Sequence, residues 1–294
     1  MINDIYSKHH RLTLAEGPVS VYESGDERLS PVILLHGAMY DEARLIWYHL
    51  APFLSKSRRV FAVDFPRHGQ SRPWTGIADQ NCLNQVIGEV IKHFALPPLP
   101  LIGLSMGGGA AIGFILENPN QVTGAVLMGP GGLGNKIRNQ FLSWAYTKIP
   151  GAQFALTRYY GKLSPEKMRK SMAALFHDRE ASSDFEDIIA LITEEAKLKW
   201  KYRENPLDDW QLAGLAPFKL KVEFLPELHR ITCPTLWLRG ENDPLISQEN
   251  MEKAAGSTPK GTLMVIKDSG HLLPLEQPDK VNQAVKDFLL RNNI

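Results

Sequence analysis

The sequence predicts an α/β fold, a mostly parallel sheet with helices on both faces, interrupted by an inserted block of helices. Three observations predict it. Apolar runs recur at 32–35, 59–63, 99–104, 122–128, 235–239 and 262–266, and an uninterrupted short apolar run suits a strand covered on both sides. Segments with helical spacing at 79–94, 106–117 and 278–291 lie between or after these runs, an alternation characteristic of parallel crossovers. Between 130 and 232 the alternation stops: patterning there is mainly helical, punctuated by Pro150-Gly151, Ser164-Pro165 and Asn205-Pro206, dipeptides that break regular structure.

The elements follow in order. Residues 11–15 and 19–23 form an opening hairpin around Glu16-Gly17-Pro18, a sequence that turns the chain. The strands at 32–35 and 59–63 come next, then 79–94 as a helix, the strand at 99–104, the helix at 106–117 and the strand at 122–128. After the insertion, 235–239 and 262–266 complete the sheet and 278–291 closes the chain as a helix. The expected division is therefore 1–129, 130–232 and 233–294, with the first and last parts sharing one core. Ligands of such sheets bind outside the carboxyl ends of the strands.

Composition agrees. A chain of 294 residues, 44% hydrophobic and 22% charged, buries a full core and fits one domain with an insertion. Its formal net charge of +1 provides no field for steering nucleic acid or an anionic membrane. Cys82 and Cys233 lie far apart without metal-ligand spacing, which suits a reduced cytoplasmic protein in which both act as small hydrophobes. The first ten residues lack the basic start and apolar core of a signal peptide. No run approaches the roughly 20 apolar residues of a membrane span.

Chemistry concentrates at strand ends. Gly103-Leu104-Ser105-Met106-Gly107 puts a serine between glycines where a strand passes into a helix. A tight strand-to-helix turn would hold that serine exposed at a helix N-terminus, where backbone N–H groups favour developing negative charge. The pentapeptide alone is a weak signal, so its context decides. Val32-Ile33-Leu34-Leu35 ends in His36-Gly37, and the strand at 59–63 ends in Asp64-Phe65-Pro66-Arg67-His68-Gly69. Gly240-Glu241-Asn242-Asp243-Pro244 follows one late strand, and Asp268-Ser269-Gly270-His271 follows the next. In the order Ser105, Asp243, His271, with each residue just past a strand, the chain resembles the α/β-hydrolase family.

That resemblance implies a helical cap at 130–232 and a serine nucleophile served by a general base and an acid. His271 is the base candidate among nine histidines, because it alone follows a late strand and the acid; imidazole titrates near neutrality, as a general base must. Asp243 would fix its tautomer, with Glu241 a weaker substitute. His36 and His68 read as loop hydrogen-bonding residues. The oxyanion hole would be the backbone N–H groups of Met106 and, by resemblance, Ala38. One departure is Arg67, where the family usually has glycine; it reads as a solvated surface arginine. The cap aromatics Phe141, Trp144, Tyr146, Phe154, Tyr159, Tyr160, Trp200 and Trp210 either line a substrate pocket or pack the cap.

The resulting expectation is a serine hydrolase acting through an acyl-enzyme on a small or medium carboxylic ester. Carbon–carbon bond hydrolases of the family share Ser105-Met106-Gly107-Gly108 but commonly carry tryptophan after the histidine, where this chain has Leu272. Lactonases, perhydrolases and acyltransferases are further alternatives, and a hydrolase-fold ligand receptor is the non-enzymatic one. No cofactor and no metal are expected. The expected partner is a small-molecule ester, with no nucleic acid and no membrane, and the oligomeric state is left open.

Overall fold

Strands β1 (Lys8–Thr13), β2 (Pro18–Ser24), β3 (Pro31–Leu35), β4 (Arg59–Asp64), β5 (Leu99–Leu104), β6 (Val122–Met128), β7 (Thr235–Gly240) and β8 (Gly261–Ile266) form one sheet. Their order is β1-β2-β4-β3-β5-β6-β7-β8. The β1/β2 and β2/β4 pairs are antiparallel and all other neighbours are parallel. The computed structural model describes residues 8–137, 139–172 and 184–294.

Strand alternation sends successive side chains to opposite faces, and both faces are covered. Val32 and Leu34 of β3 join one apolar layer while Ile33 and Leu35 join the other. The first layer is completed by α1 (Ala43–Ile46), α2 (Leu50–Leu54) and a C-terminal helix, Pro278–Arg291. The second contains α3 (Gln80–His93), α4 (Met106–Glu117) and a helix at Gln248–Ser257. Asp79 caps α3 by accepting from Cys82 N at 3.1 Å, which satisfies an amide that a helix start leaves free.

Strand boundaries match the sequence expectation within a few residues, apart from the hairpin, which is longer at 8–13 and 18–24. Periodicity does not predict the helix at Gln248–Ser257; Ser247 caps it, and Met251 and Ala254 seat it in the core. Cys82 and Cys233 are free and half-buried against the second layer.

Between β6 and β7 lie α5 (Gln140–Thr147), α6 (Ala152–Tyr160), α7 (Pro165–Met172), α8 (Phe185–Tyr202) and α9 (Asp209–Gly214). Helix α8 seats Ile188, Ile189, Ile192 and Ala196 in the first apolar layer. Buried ions fasten this region to the loop after β4. Arg72 pairs with Glu195 and with Glu204, the latter at 2.9 Å, while Asp208 takes Lys199 at 2.7 Å and His68 at 3.2 Å. Arg67 is not the solvated arginine expected: its guanidinium lies 3.0 Å from Asp209 and donates to Gly76 O at 2.9 Å. Its backbone is left-handed, φ 68°, the region that favours glycine.

After α9 come α10 (Gln248–Ser257), α11 (Leu273–Glu276) and α12 (Pro278–Arg291). No helix among the described residues is long and apolar enough to cross a membrane.

Candidate active site

β5 passes directly into α4 through Ser105, whose φ of 51° and ψ of −115° are unfavourable for a residue with a Cβ. Tertiary hydrogen bonds hold it there. Ser105 N donates to Met128 O at 2.9 Å, and its carbonyl accepts from Gly109 N at 3.0 Å and Gly131 N at 2.8 Å. The flanking glycines answer to space: a Cβ on Gly103 would stand 2.4 Å from Gly107 O, and one on Gly107 would stand 2.1 Å from Leu35 O. Small residues two positions either side are therefore what lets the turn close against β3.

The loops after β7 and β8 bring Asp243 and His271 together. Asp243 Oδ2 lies 2.9 Å from His271 Nδ1, and its Oδ1 accepts from the N–H groups of Leu245 at 2.8 Å and Ile246 at 3.1 Å. Burial alone would raise this carboxyl, but the hydrogen bonds from His271 and the two amides hold it below its ordinary value. An ionised Asp243 fixes His271 with Nδ1–H, leaving Nε2 as the basic nitrogen. Nε2 has no hydrogen-bond partner among the described residues, and His271 and Ser105 line the same cavity. Glu241 is exposed, with its carboxylate toward Asp268 N, so Asp243 alone meets the imidazole.

The loop after β3 supplies backbone donors. Gly37 N donates to Asp41 Oδ2 at 2.6 Å and Met39 N donates to Asp208 Oδ2 at 2.5 Å. The N–H of Ala38 between them has no such acceptor among the described residues. Met106, next to Ser105, is the first residue of α4, where a helix amide lacks an intrahelical acceptor. Two amides with these properties are what a tetrahedral oxyanion requires.

The other sequence-singled histidines do structural work. His36 accepts from Phe65 N at 2.9 Å through Nε2 and lies 2.6 Å from Gly37 O through Nδ1; burial pushes it well below its ordinary value. His68 Nδ1 lies 2.8 Å from Asp41 O, so it joins the loop after β3 to Asp208.

The cavity at Ser105 measures about 120 Å³ and is mostly apolar, with Tyr40, Leu45, Ile46, Leu104, Ile192 and Leu275 in its wall. None of the eight aromatics singled out between 130 and 232 lines it. Tyr146 and Trp210 instead line an adjoining cavity of about 970 Å³ that shares Gln211 and Leu245 with the first. Phe141, Phe154 and Tyr159 are exposed. Two acids escape a reading of the sequence. Asp41 lines the smaller cavity and is pushed up to about 8 by burial, against the hydrogen bonds it accepts from Gly37 and Glu42. Asp208 is the other; an Asp208…Gln211 capping pattern marks its helix start, but nothing local announces its bond to Met39.

A model of the alpha/beta hydrolase family matches residues 32–284. This chain belongs to that family. The α/β hydrolase is 26% identical over 277 residues to carboxylesterase YbfK of Bacillus subtilis, covering 93% of this chain and 84% of that one. It is 25% identical over 279 residues to a 2-hydroxy-6-oxononadienedioate/2-hydroxy-6-oxononatrienedioate hydrolase of Klebsiella pneumoniae, covering 93% and 91%. Among solved structures, the Bacillus subtilis carboxylesterase CesB (YbfK) superposes with a TM-score of 0.74 at 22% identity, over 98% of this chain and 94% of that one. The 2-hydroxy-6-oxo-6-phenylhexa-2,4-dienoate hydrolase of Rhodococcus sp. strain RHA1 gives 0.76 at 20% identity, over 96% and 98%. These likenesses show the fold. Among the described residues no group of three or more His, Cys, Asp or Glu is arranged to hold a metal ion.

Proposed function

We propose that this α/β hydrolase is a carboxylesterase for neutral esters with a small acyl group. Residues 1–129 and 233–294 would carry the catalytic core and 130–232 would roof it. Ser105 Oγ attacks the ester carbonyl as His271 Nε2 takes its proton. Ala38 and Met106 N–H groups receive the oxyanion, and Asp243 orients the imidazole and stabilises its charged form. Collapse breaks the bond to the alkoxy oxygen, which leaves as alcohol with the proton from His271. Water, deprotonated by the same nitrogen, then attacks the acyl-enzyme and releases the acid and free Ser105. The reaction so written needs no cofactor.

The observation that carries the choice of substrate is the wall of the cavity shared by Ser105 and His271. Among the described residues it holds no lysine or arginine. Its one carboxyl among the described residues, Asp41, is pushed up to about 8 by burial and so is largely uncharged at neutral pH. An apolar acyl group suits such a wall; an anionic one would lose its hydration without a partner.

A carbon–carbon bond hydrolase is the alternative, because hydrolases of that kind stand beside carboxylesterases among the relatives. The relatives concerned are named for dienedioates, which are dicarboxylates. A dianion calls for cations that this cavity wall lacks, and Leu272 stands after the histidine. The deciding experiment is a panel of p-nitrophenyl esters, a lactone and a vinylogous diketone, given to the wild type and Ser105→Ala. Ester turnover is expected, with a loss of about 10³-fold or more in Ser105→Ala. Faster cleavage of the diketone than of any ester would overturn the assignment.

A further inference from the structure

Helix α5 inverts the usual distribution of side chains on a surface helix. Its one buried residue is Gln140, whose amide donates to Ala216 O at 2.6 Å, whereas Phe141, Leu142 and Tyr146 are exposed. The apolar surface continues beyond the helix. Phe141 stacks on Phe218 at 5.9 Å between ring centroids, Phe218 is itself 73% exposed, and Ile137 and Ile149 at the two ends of α5 are also exposed. A contiguous face of this kind on a folded domain marks an interaction site.

Position and charge narrow the partner. Ile137, Leu142 and Tyr146 belong both to this exposed face and to the wall of the 970 Å³ cavity that adjoins the Ser105 cavity, so the face rims an entrance to the candidate active site. From 118 to 165 the sequence has five basic residues, Lys136, Arg138, Lys148, Arg158 and Lys162, and no Asp or Glu; Lys219 and Lys221 follow Phe218, with one acid, Glu223, after them. Lys136, Lys148, Lys219 and Lys221 are exposed, and none is paired with a carboxylate among the described residues. The chain's net charge of +1 therefore conceals a strongly one-sided region.

We propose that the α5 face docks this protein on an anionic lipid surface, so that an apolar ester reaches Ser105 from the lipid through the larger cavity. Exposed aromatic and aliphatic side chains beside lysines are the chemistry that settles at a headgroup layer. A second copy of this chain fits poorly, because two such faces would bring unpaired lysines against one another. The low net charge behind the expectation of no membrane partner is an average over the whole surface, whereas a bilayer meets only one face. The delivery of ester rests on the esterase assignment; the docking does not.

Flotation of the full chain with phosphatidylcholine vesicles, with and without phosphatidylglycerol, tests the docking without any turnover. Binding is expected to the anionic vesicles, to weaken with salt, and to fall roughly fivefold in Lys148→Gln, the loss of one basic residue at such a surface. The double variant Phe141→Ser/Phe218→Ser should lose binding while keeping wild-type kcat/KM on soluble p-nitrophenyl acetate, since neither ring lines the Ser105 cavity or the larger one beside it. Three results would overturn the docking: no binding to either vesicle, binding unaffected by the double variant, or a concentration-dependent dimer in light scattering that the double variant dissociates. Loss of ester turnover alongside intact flotation would remove only the esterase assignment.

Discussion

Asp208→Asn is expected to impair both stability and turnover, because one buried carboxylate serves partners of different kind. Asp208 accepts from Lys199 Nζ at 2.7 Å, lies 3.2 Å from His68 Nε2 and accepts from Met39 N at 2.5 Å. Burial would raise it, but His68 and Lys199 outweigh that and hold it below the usual carboxylate range. Asparagine keeps the volume, removes the charge and turns an NH₂ toward donors. Breaking one side of a buried ion pair costs about 3–5 kcal/mol. At about 2–4 °C per kcal/mol for a large domain, Tm should fall by roughly 6–20 °C. The sign with pH follows from the depressed value: Asp208's stabilisation is complete above its unfolded-state value near 4 and is lost only as pH falls through the lower folded value. The gap between wild type and variant should therefore be full at neutral pH and narrow only in acid.

The kinetic effect comes through Met39. Freeing its N–H lets the neighbouring Ala38 amide drift, and displacement of a positioned group by about 1 Å costs on the order of 10²-fold. The expected result is a kcat reduced about 10²-fold with KM little changed, because on the proposed mechanism the displaced amide would stabilise the oxyanion of the transition state and not the bound ester. Arg72→Met is the comparison. It breaks the buried pairs with Glu195 and Glu204 but none to the loop after β3, so it should lower Tm while leaving kcat near wild type. Thermal unfolding by circular dichroism and p-nitrophenyl ester kinetics well below Tm give both numbers. Wild-type kcat in Asp208→Asn, or equal kcat losses in the two variants, would refute the coupling.

Other outcomes follow from the same geometry. His271→Ala should lose nearly as much activity as Ser105→Ala, and the double variant little more, since the two act as a unit; multiplicative losses in kcat/KM would show that His271 is not the base. Asp41, pushed up to about 8, should ionise in mildly alkaline buffer and oppose the developing oxyanion, so kcat should decline above that pH and the decline should vanish in Asp41→Asn. Because its folded value is raised, Asp41 should also make stability fall as pH rises from its unfolded value near 4 toward 8, and urea unfolding of Asp41→Asn should lose that slope. With p-nitrophenyl esters, kcat/KM should rise about fourfold per methylene, the equivalent of about 0.8 kcal/mol. It should turn over once the 120 Å³ cavity is filled, by roughly four water-sized groups; a maximum at palmitate would contradict the small acyl pocket.

What is legible in the sequence is local. Ser105, Asp243 and His271 each sit within a few residues of the end of an apolar strand, so strand and loop can be read from one short window. Their order along the chain does the rest. Arg67 shows where that method fails: a charged residue in a loop reads as solvated, and only the arrival of Asp209 from the far side of the insertion makes it half-buried and paired. The aromatics between 130 and 232 divide between the two readings: Tyr146 and Trp210 line the adjoining cavity, and none lines the Ser105 cavity. Aromatic composition leaves pocket wall and packing both open, and the apolar wall of the Ser105 cavity is built from Tyr40 and from aliphatic residues of α1, α7, α8 and the segment around α11.

The residues that escape are those whose work is done across long sequence separations. Asp208 reaches Met39 over 169 positions, and Glu195 reaches Arg72 over 123; no periodicity or spacing records such a partner. Those same bonds would give the proposed cap a second task. Asp208, at the start of α9, bonds the amide next to Ala38, so on the proposed mechanism a displacement of α8 and α9 from the core should shift that amide. Opening of the cap would then loosen the oxyanion site, and closure would restore it. In that case catalysis is strongest when the cavity is shut, and an ester held at the open mouth is spared until the cap closes over it.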